Sequence, residues 1–135
     1  VCASINHSLA RTKHLTLAVL AHERWTLSDP TFAMWQRIHR VFVEHGLPTP
    51  RVAVETGSPA LRLPLVATSS LLGYSWASIV RKAVTHLPIT ELRVRELTLP
   101  FRNAVVYRKD GYLSPVARRF IEILKATAKE IASGK

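Results

Sequence analysis

Six histidines, one cysteine and a serine framed as Thr56-Gly57-Ser58-Pro59 are the residues of this 135-residue chain that could hold a metal or attack a carbonyl. His7, His14 and His22 stand seven and eight positions apart, and His39 and His45 stand six apart. A helical metal site needs two imidazoles one turn apart, and a structural zinc site usually needs paired thiolates. Neither is present, so no metal site is expected. Cys2 has no cysteine to pair with, which excludes an internal disulfide and suits a reducing, cytoplasmic compartment. Ser58 lacks the Gly-x-Ser-x-Gly elbow, and no base is placed beside it by sequence. The glycine-rich phosphate and dinucleotide loops are missing too. These patterns point away from an enzyme, with no catalytic residues and no cofactor expected.

Charge suggests a different chemistry. The 19 Lys and Arg outnumber the 9 Asp and Glu, for a formal net charge of +10. Such a balance suits nucleic acid or an anionic surface. The cations are scattered, however, and the local runs are only Arg81-Lys82, Arg118-Arg119 and the spaced tail Lys125, Lys129, Lys135. A solvated basic face explains them, and a basic nucleic-acid-binding module acting directly is the alternative. The closing stretch KDGYLSPVARRFIEILKATAKEIASGK bears on this choice. Ser114-Pro115 marks a helix start, and Ala117, Phe120, Ile121, Leu124, Ala128 and Ile131 form one apolar stripe. That stripe predicts a helix packed on a sheet rather than one reading a DNA groove.

The elements that would position any site alternate. Strands are expected at 1–5, 24–27, 51–55, 71–77, 91–96 and 101–108, the last around a buried Ala104-Val105-Val106-Tyr107. Helices are expected from Thr16 to His22, from Phe32 until Gly46, from Ser58 to Thr68 around an intrusive Pro64, from Ser78 to His86, and after Ser114. Trp35, with Phe32 and Ile38, reads as core or a subunit seam. This order predicts an α/β fold with a largely parallel sheet. No apolar run approaches the roughly 20 residues of a membrane span. The start, VCASINHSLA, has no basic leader or cleavage site, and it looks like a chain entered partway through a fold.

In open α/β sheets, ligands sit beyond the carboxyl ends of strands, where helix N-termini offer N–H groups to anions. Three stretches lie at such junctions: Ser28-Asp29-Pro30-Thr31-Phe32, Thr56-Gly57-Ser58 and Trp76-Ala77-Ser78. Each is a candidate ligand contact, or simply a helix cap. Asp29 would itself satisfy the helix dipole and repel a carboxylate.

The strand–turn–helix RNAVVYRKDGYLSPVARRFIEILK resembles the C-terminal end of LysR-type transcriptional regulators. NHSLARTKHLTLAVLAHERWTL is similar to the family's His-Pro-Leu-Ala turn, Leu-Thr-Leu helix cap and Trp-containing strand, with His7-Ser8 in place of His-Pro. RIHRVFVEHGLPTPRVAVETGSPALRLPLVATSSLLGYSWASIV resembles the helix, strand, helix and strand that follow, with Trp76-Ala77 where many members have a proline. The resemblance implies a periplasmic-binding-protein-like type II effector domain, its second subdomain joined to an incomplete first. Residues 1–21 would close the first subdomain and cross over, 22–98 would form the second, and 99–135 would return as crossover, strand and C-terminal helix. It further implies a small effector, an organic anion, held between the subdomains. Its contacts would be Ser28, Pro30, Thr31, Phe32, Gly57, Ser58 and Trp76. DNA would be bound only through a helix-turn-helix head with no counterpart here. A sheet lacking its opening strands would expose edges that invite pairing, so a dimer or tetramer is expected.

Overall fold

Five strands, β1 (Cys2–Ser4), β2 (Arg24–Leu27), β3 (Arg51–Glu55), β4 (Leu72–Gly73) and β5 (Ile89–Glu91), form one sheet in the order β3-β2-β4-β1-β5. The computed structural model describes residues 1–100 and 104–132, and residues 1–99 form one compact unit. β2 runs parallel to β3 and β4, while β1 is antiparallel to both β4 and β5. Four strands thus share a direction, as the alternation predicts, and β1 alone is reversed. The segment 1–21 contributes this strand to the same sheet that 22–98 builds.

Chain direction explains the layers. The connection from β2 to β3 moves one way across the sheet through α2 (Ala33–Glu44). The next, from β3 to β4, moves back over β2 through α3 (Pro59–Ala67). Right-handed crossovers in opposite directions must lie on opposite faces. The side chains agree. Ile38 and Phe42 of α2 pack with Trp25, Leu27 and Leu72 on one face, together with Leu17 and Leu20 of α1 (Leu17–Ala21). Leu63, Val66 and Ala67 of α3 pack with Cys2 and Ile89 on the other face, beside Val80 and Ala83 of α4 (Ala77–Ala83). Alternation along each strand divides the residues: Trp25 and Leu27 belong to the α2 face, while a side chain at Gly73 would meet Val66 of α3.

Local signals explain the helix ends. α2 stops at Gly46, whose φ of 66° is a left-handed conformation that only glycine adopts cheaply. Pro64 stays inside α3, and the Thr68 amide and hydroxyl both donate to its carbonyl, at 3.1 and 3.0 Å. His7 replaces covalent stitching: its Nδ1 accepts from the Leu9 amide at 3.1 Å, and its Nε2 faces the Ser70 carbonyl at 3.2 Å.

Three expectations need correction. The apolar run 71–77 pairs only at Leu72–Gly73, because Tyr74 to Trp76 leave the sheet as a loop. The strand expected at 91–96 lies earlier, at Ile89–Glu91, and Arg95–Leu97 forms a short 3-10 turn. The buried strand expected at 101–108 is not formed by its described part: residues 104–108 are irregular, and Val106 is 90 % exposed. Its residues 101–103 lie outside the described residues.

Residues 100–135 form a second unit. Its helix α5 (Pro115–Ala132) starts as predicted, the Ser114 hydroxyl accepting from the Ala117 amide at 3.2 Å. On its apolar stripe, Phe120 is 59 % exposed and Ile131 is 73 % exposed. One helix and one extended segment cannot make two layers, and a lone segment has no neighbour for its backbone N–H and C=O groups.

Candidate functional site

The registers place the carboxyl ends of β2, β3, β4 and β5 on one edge of the sheet, together with the start of β1, since Cys2 pairs with both Gly73 and Glu91. β2 is followed by a helix on one face, while its neighbours β3 and β4 are followed by helices on the other. A crevice therefore flanks the end of β2 on both sides, the arrangement in which open α/β sheets hold ligands.

The β2 and β3 exit loops are tied together. The Thr56 amide donates to the Leu27 carbonyl at 2.9 Å, and the Phe32 ring lies 3.9 Å from where a side chain at Gly57 would begin. Phe32 is 53 % exposed, so this ring forms an apolar floor open to solvent. Asp29 Oδ1 accepts from the Thr31 amide at 2.8 Å and from the Thr31 hydroxyl at 2.6 Å. These two bonds hold the Asp29 carboxyl below its ordinary pKa. They also use the only hydroxyl proton of Thr31, leaving Thr31 with no side-chain donor for an anion. Ser58 differs. It occupies the N-cap position of α3, but its side chain does not cap the helix.

Ser28, Pro30, Thr31, Phe32, Gly57 and Ser58 thus gather on the two loops beside β2 and β3. Trp76 lies beyond β4, on a cleft of about 490 Å³ that Tyr74, Val80, Arg93, Val94 and Thr98 help to line. The cleft is within the size range of small-molecule sites. Tyr74 braces it by donating its hydroxyl to the Leu97 carbonyl at 3.0 Å. Tyr74→Phe is expected to lower stability by about 1 kcal/mol, read as a lower urea midpoint at unchanged m value.

The residue that connects the two groups is Arg62, which the sequence reading passed over. Its Nη1 donates to the Tyr74 carbonyl at 3.0 Å and its Nη2 to the Thr56 carbonyl, so one guanidinium spans the end of β2. Only 7 % of Arg62 is exposed, and its Nε has no hydrogen-bond partner. Burial pulls the guanidinium pKa below its ordinary value, an effect that Cys2 partly offsets. Arginine nonetheless stays protonated in proteins. A signal was available in the sequence: in PALRLPLVA, one arginine interrupts an otherwise apolar helix that contains no acid.

A mixed α/β/α unit with loops converging on one carboxyl edge is the architecture on which open α/β sheets carry ligand sites. The sequence profile of the family described as LysR substrate binding domain matches residues 1–129, and the chain belongs to that family. Its fold is accordingly periplasmic-binding-protein-like, type II. Domains of this family are regulatory rather than catalytic. No curated protein matches the chain.

Proposed function

We propose that this chain is the effector-sensing region of a bacterial LysR-type transcriptional regulator. It binds a small organic acid at the carboxyl edge of its sheet and thereby controls DNA binding by a helix-turn-helix head. In this reading residues 1–99 are the second regulatory subdomain, because β1 lies within the sheet that 22–98 builds, and residues 100–135 belong to the crossover and the first. The protein works in the cytoplasm as a dimer or tetramer and catalyses no reaction. The observation that carries the reading is the convergence of two exit loops and a buried arginine on the end of β2, within a chain matched by the family profile over residues 1–129. Among the described residues no helix is long and apolar enough to cross a membrane.

Ser58 is the hydroxyl placed to meet an anion, while Thr31 shapes the neighbouring loop through Asp29. Thermal-shift screening of small aromatic and aliphatic acids should find ligands that raise Tm. Ser58→Ala should weaken such a ligand about tenfold, the loss expected for one hydrogen bond to a charged group, and Thr31→Ala should weaken it less. An acid whose affinity ignores Ser58→Ala would place the effector on another wall.

The family match runs through most of α5, which supports reading that helix as part of the sensor domain. Filter binding to duplex DNA across a salt series is therefore expected to show weak, sequence-independent retention. Tight binding with a steep salt slope would favour the nucleic-acid-binding module instead.

A further inference from the structure

We propose that the edge of the sheet opposite the ligand loops is a contact face for the phosphate backbone of duplex DNA. It binds without regard to sequence, because phosphate contacts position a protein on a duplex while base contacts specify where. Such a face neither needs the candidate ligand site nor replaces a helix-turn-helix head.

Chain direction gathers the cations. α2, α3 and α4 each leave a carboxyl end and return the chain to the starts of β3, β4 and β5, so their last turns lie on this opposite edge. The segment after β1 joins them, the Ser4 hydroxyl donating to the Ala67 carbonyl at 3.1 Å and the Ile5 amide to the Pro88 carbonyl at 2.9 Å. Arg24 and Arg51 stand at the starts of β2 and β3, Arg81 and Lys82 in the last turn of α4, and Arg11 and Lys13 at and after the turn Ser8–Arg11. All are exposed. The acids on this edge are Glu23, which faces His7 at 3.7 Å, and Glu44. Asp29, Glu55, Glu91 and Glu96 lie instead at or beyond the carboxyl ends of strands, so charge is polarised along the strand direction.

Arg24 and Arg51 matter most. They are register partners on adjoining parallel strands, so their side chains leave the same face of the sheet side by side. Like charges so placed repel and weaken strand pairing. The ion pairs among the described residues are His7–Glu23, Arg93–Glu91 and Arg119–Glu122, so neither arginine has an acid. Arg81 and Lys82 have a local role, since cations in a last turn offset the helix dipole. Arg24 and Arg51 have none. A repulsive pair held on an exposed edge fits a partner with closely spaced negative charge, and duplex DNA carries one charge per about 1.7 Å of its axis. Single-stranded nucleic acid fits less well, because proteins grip it by stacking its bases on aromatic rings. Trp25 and Phe42 are buried, Phe32 and Trp35 follow the carboxyl end of β2, and Tyr74 and Trp76 follow that of β4. The basic edge is left without a stacking ring.

Filter binding of the whole chain to a duplex of arbitrary sequence tests this with two charge-matched double variants. Arg24→Gln with Arg51→Gln strips the proposed face, and Arg37→Gln with Arg95→Gln removes the same charge from α2 and from the segment beyond β5. The first is expected to weaken retention by about tenfold or more at about 50 mM salt, and to make the salt slope shallower by about two. Relief of the repulsion should leave its Tm at or above that of the wild type, so that the loss is not one of folding. The second should keep most of the wild-type retention. Equal losses in the two would mean that net charge alone draws the duplex, which overturns the proposal. Retention that only Lys125→Gln with Lys129→Gln removes, in α5, overturns it as well. Should Tm fall in the first variant, Arg24→Lys with Arg51→Lys keeps the charge and must hold the duplex, or the proposal fails. Tighter binding to a single strand of equal length, or to phosphatidylserine vesicles, overturns the duplex assignment, as does no retention at low salt. The sensing reading is judged separately, by the acid screen.

Discussion

Trp25→Ala is expected to remove about 3–5 kcal/mol of folding stability, a large share of the roughly 5–15 kcal/mol available to an ordinary domain. Trp25 is fully buried in β2, at the centre of the α2 face. Its ring meets Phe42 edge-on, with centroids 6.2 Å apart, and its Nε1–H donates to the Leu20 carbonyl at 3.1 Å. One side chain therefore joins β2, α1 and α2. Truncation would leave a cavity that three elements line and remove the indole bond to the Leu20 carbonyl, which still accepts from the Glu23 amide at 3.3 Å. Trp25→Phe separates the two contributions: it keeps part of the ring volume and is expected to cost about 1–3 kcal/mol, through the lost indole hydrogen bond and the smaller cavity it leaves. Urea unfolding of both variants gives the comparison. A Trp25→Ala midpoint close to wild type would mean that the α2 face is not the principal core.

The core is also where the sequence is easiest to read. Trp25 and Thr26 in β2 and Val52 and Val54 in β3 are aromatic or β-branched, and Ser28-Asp29-Pro30 and Thr56-Gly57 close the two runs, so Arg24–Leu27 and Arg51–Glu55 appear where expected. The α2 periodicity and its glycine stop are equally plain. The reversed direction of β1 is not visible, because an antiparallel central strand and a parallel one bury the same apolar residues. Local pattern also misplaces β5. Arg93 and Arg95 alternate with Leu92 and Val94 as a strand would, yet Leu92 and Val94 are buried beyond the last sheet pair. Val105 and Val106 show the opposite failure. Their propensity is for strand, but propensity cannot supply the neighbour that a strand requires, and they remain exposed.

The candidate site divides in the same way. Its loops were legible because caps, prolines and glycines mark strand-to-helix junctions in the sequence, and the parallel rule says which ends of the strands matter. What each side chain does there was not legible. Thr31 and Ser58 look alike as hydroxyls at helix starts, but a neighbouring Asp29 engages one and nothing caps with the other. Arg62 was hidden for a different reason. A cation in a basic chain reads as surface, and only the fold reveals that α3 turns it under the loops.

Gly73 links the core to that site. Gly73→Ala is expected to destabilise by about 1–3 kcal/mol through overpacking. A Cβ there would stand 2.8 Å from Val66 Cγ2 and 3.1 Å from Cys2 Sγ. Both neighbours are fully buried, and a valine in a helix has one strongly preferred rotamer, so it cannot swing aside. Relief must come from moving α3 away from β4, the helix that carries Arg62 and the strand that leads into Tyr74. The substitution should therefore also loosen the guanidinium clamp on the Thr56 and Tyr74 loops. A double-mutant cycle isolates this cause. Val66→Ala alone opens a cavity, but in the Gly73→Ala background it makes room for the new methyl, so the pair should be less destabilising than the sum of the singles by about 1 kcal/mol or more. Simple additivity would show that the close approach of β4 and α3 is not what requires glycine at this position.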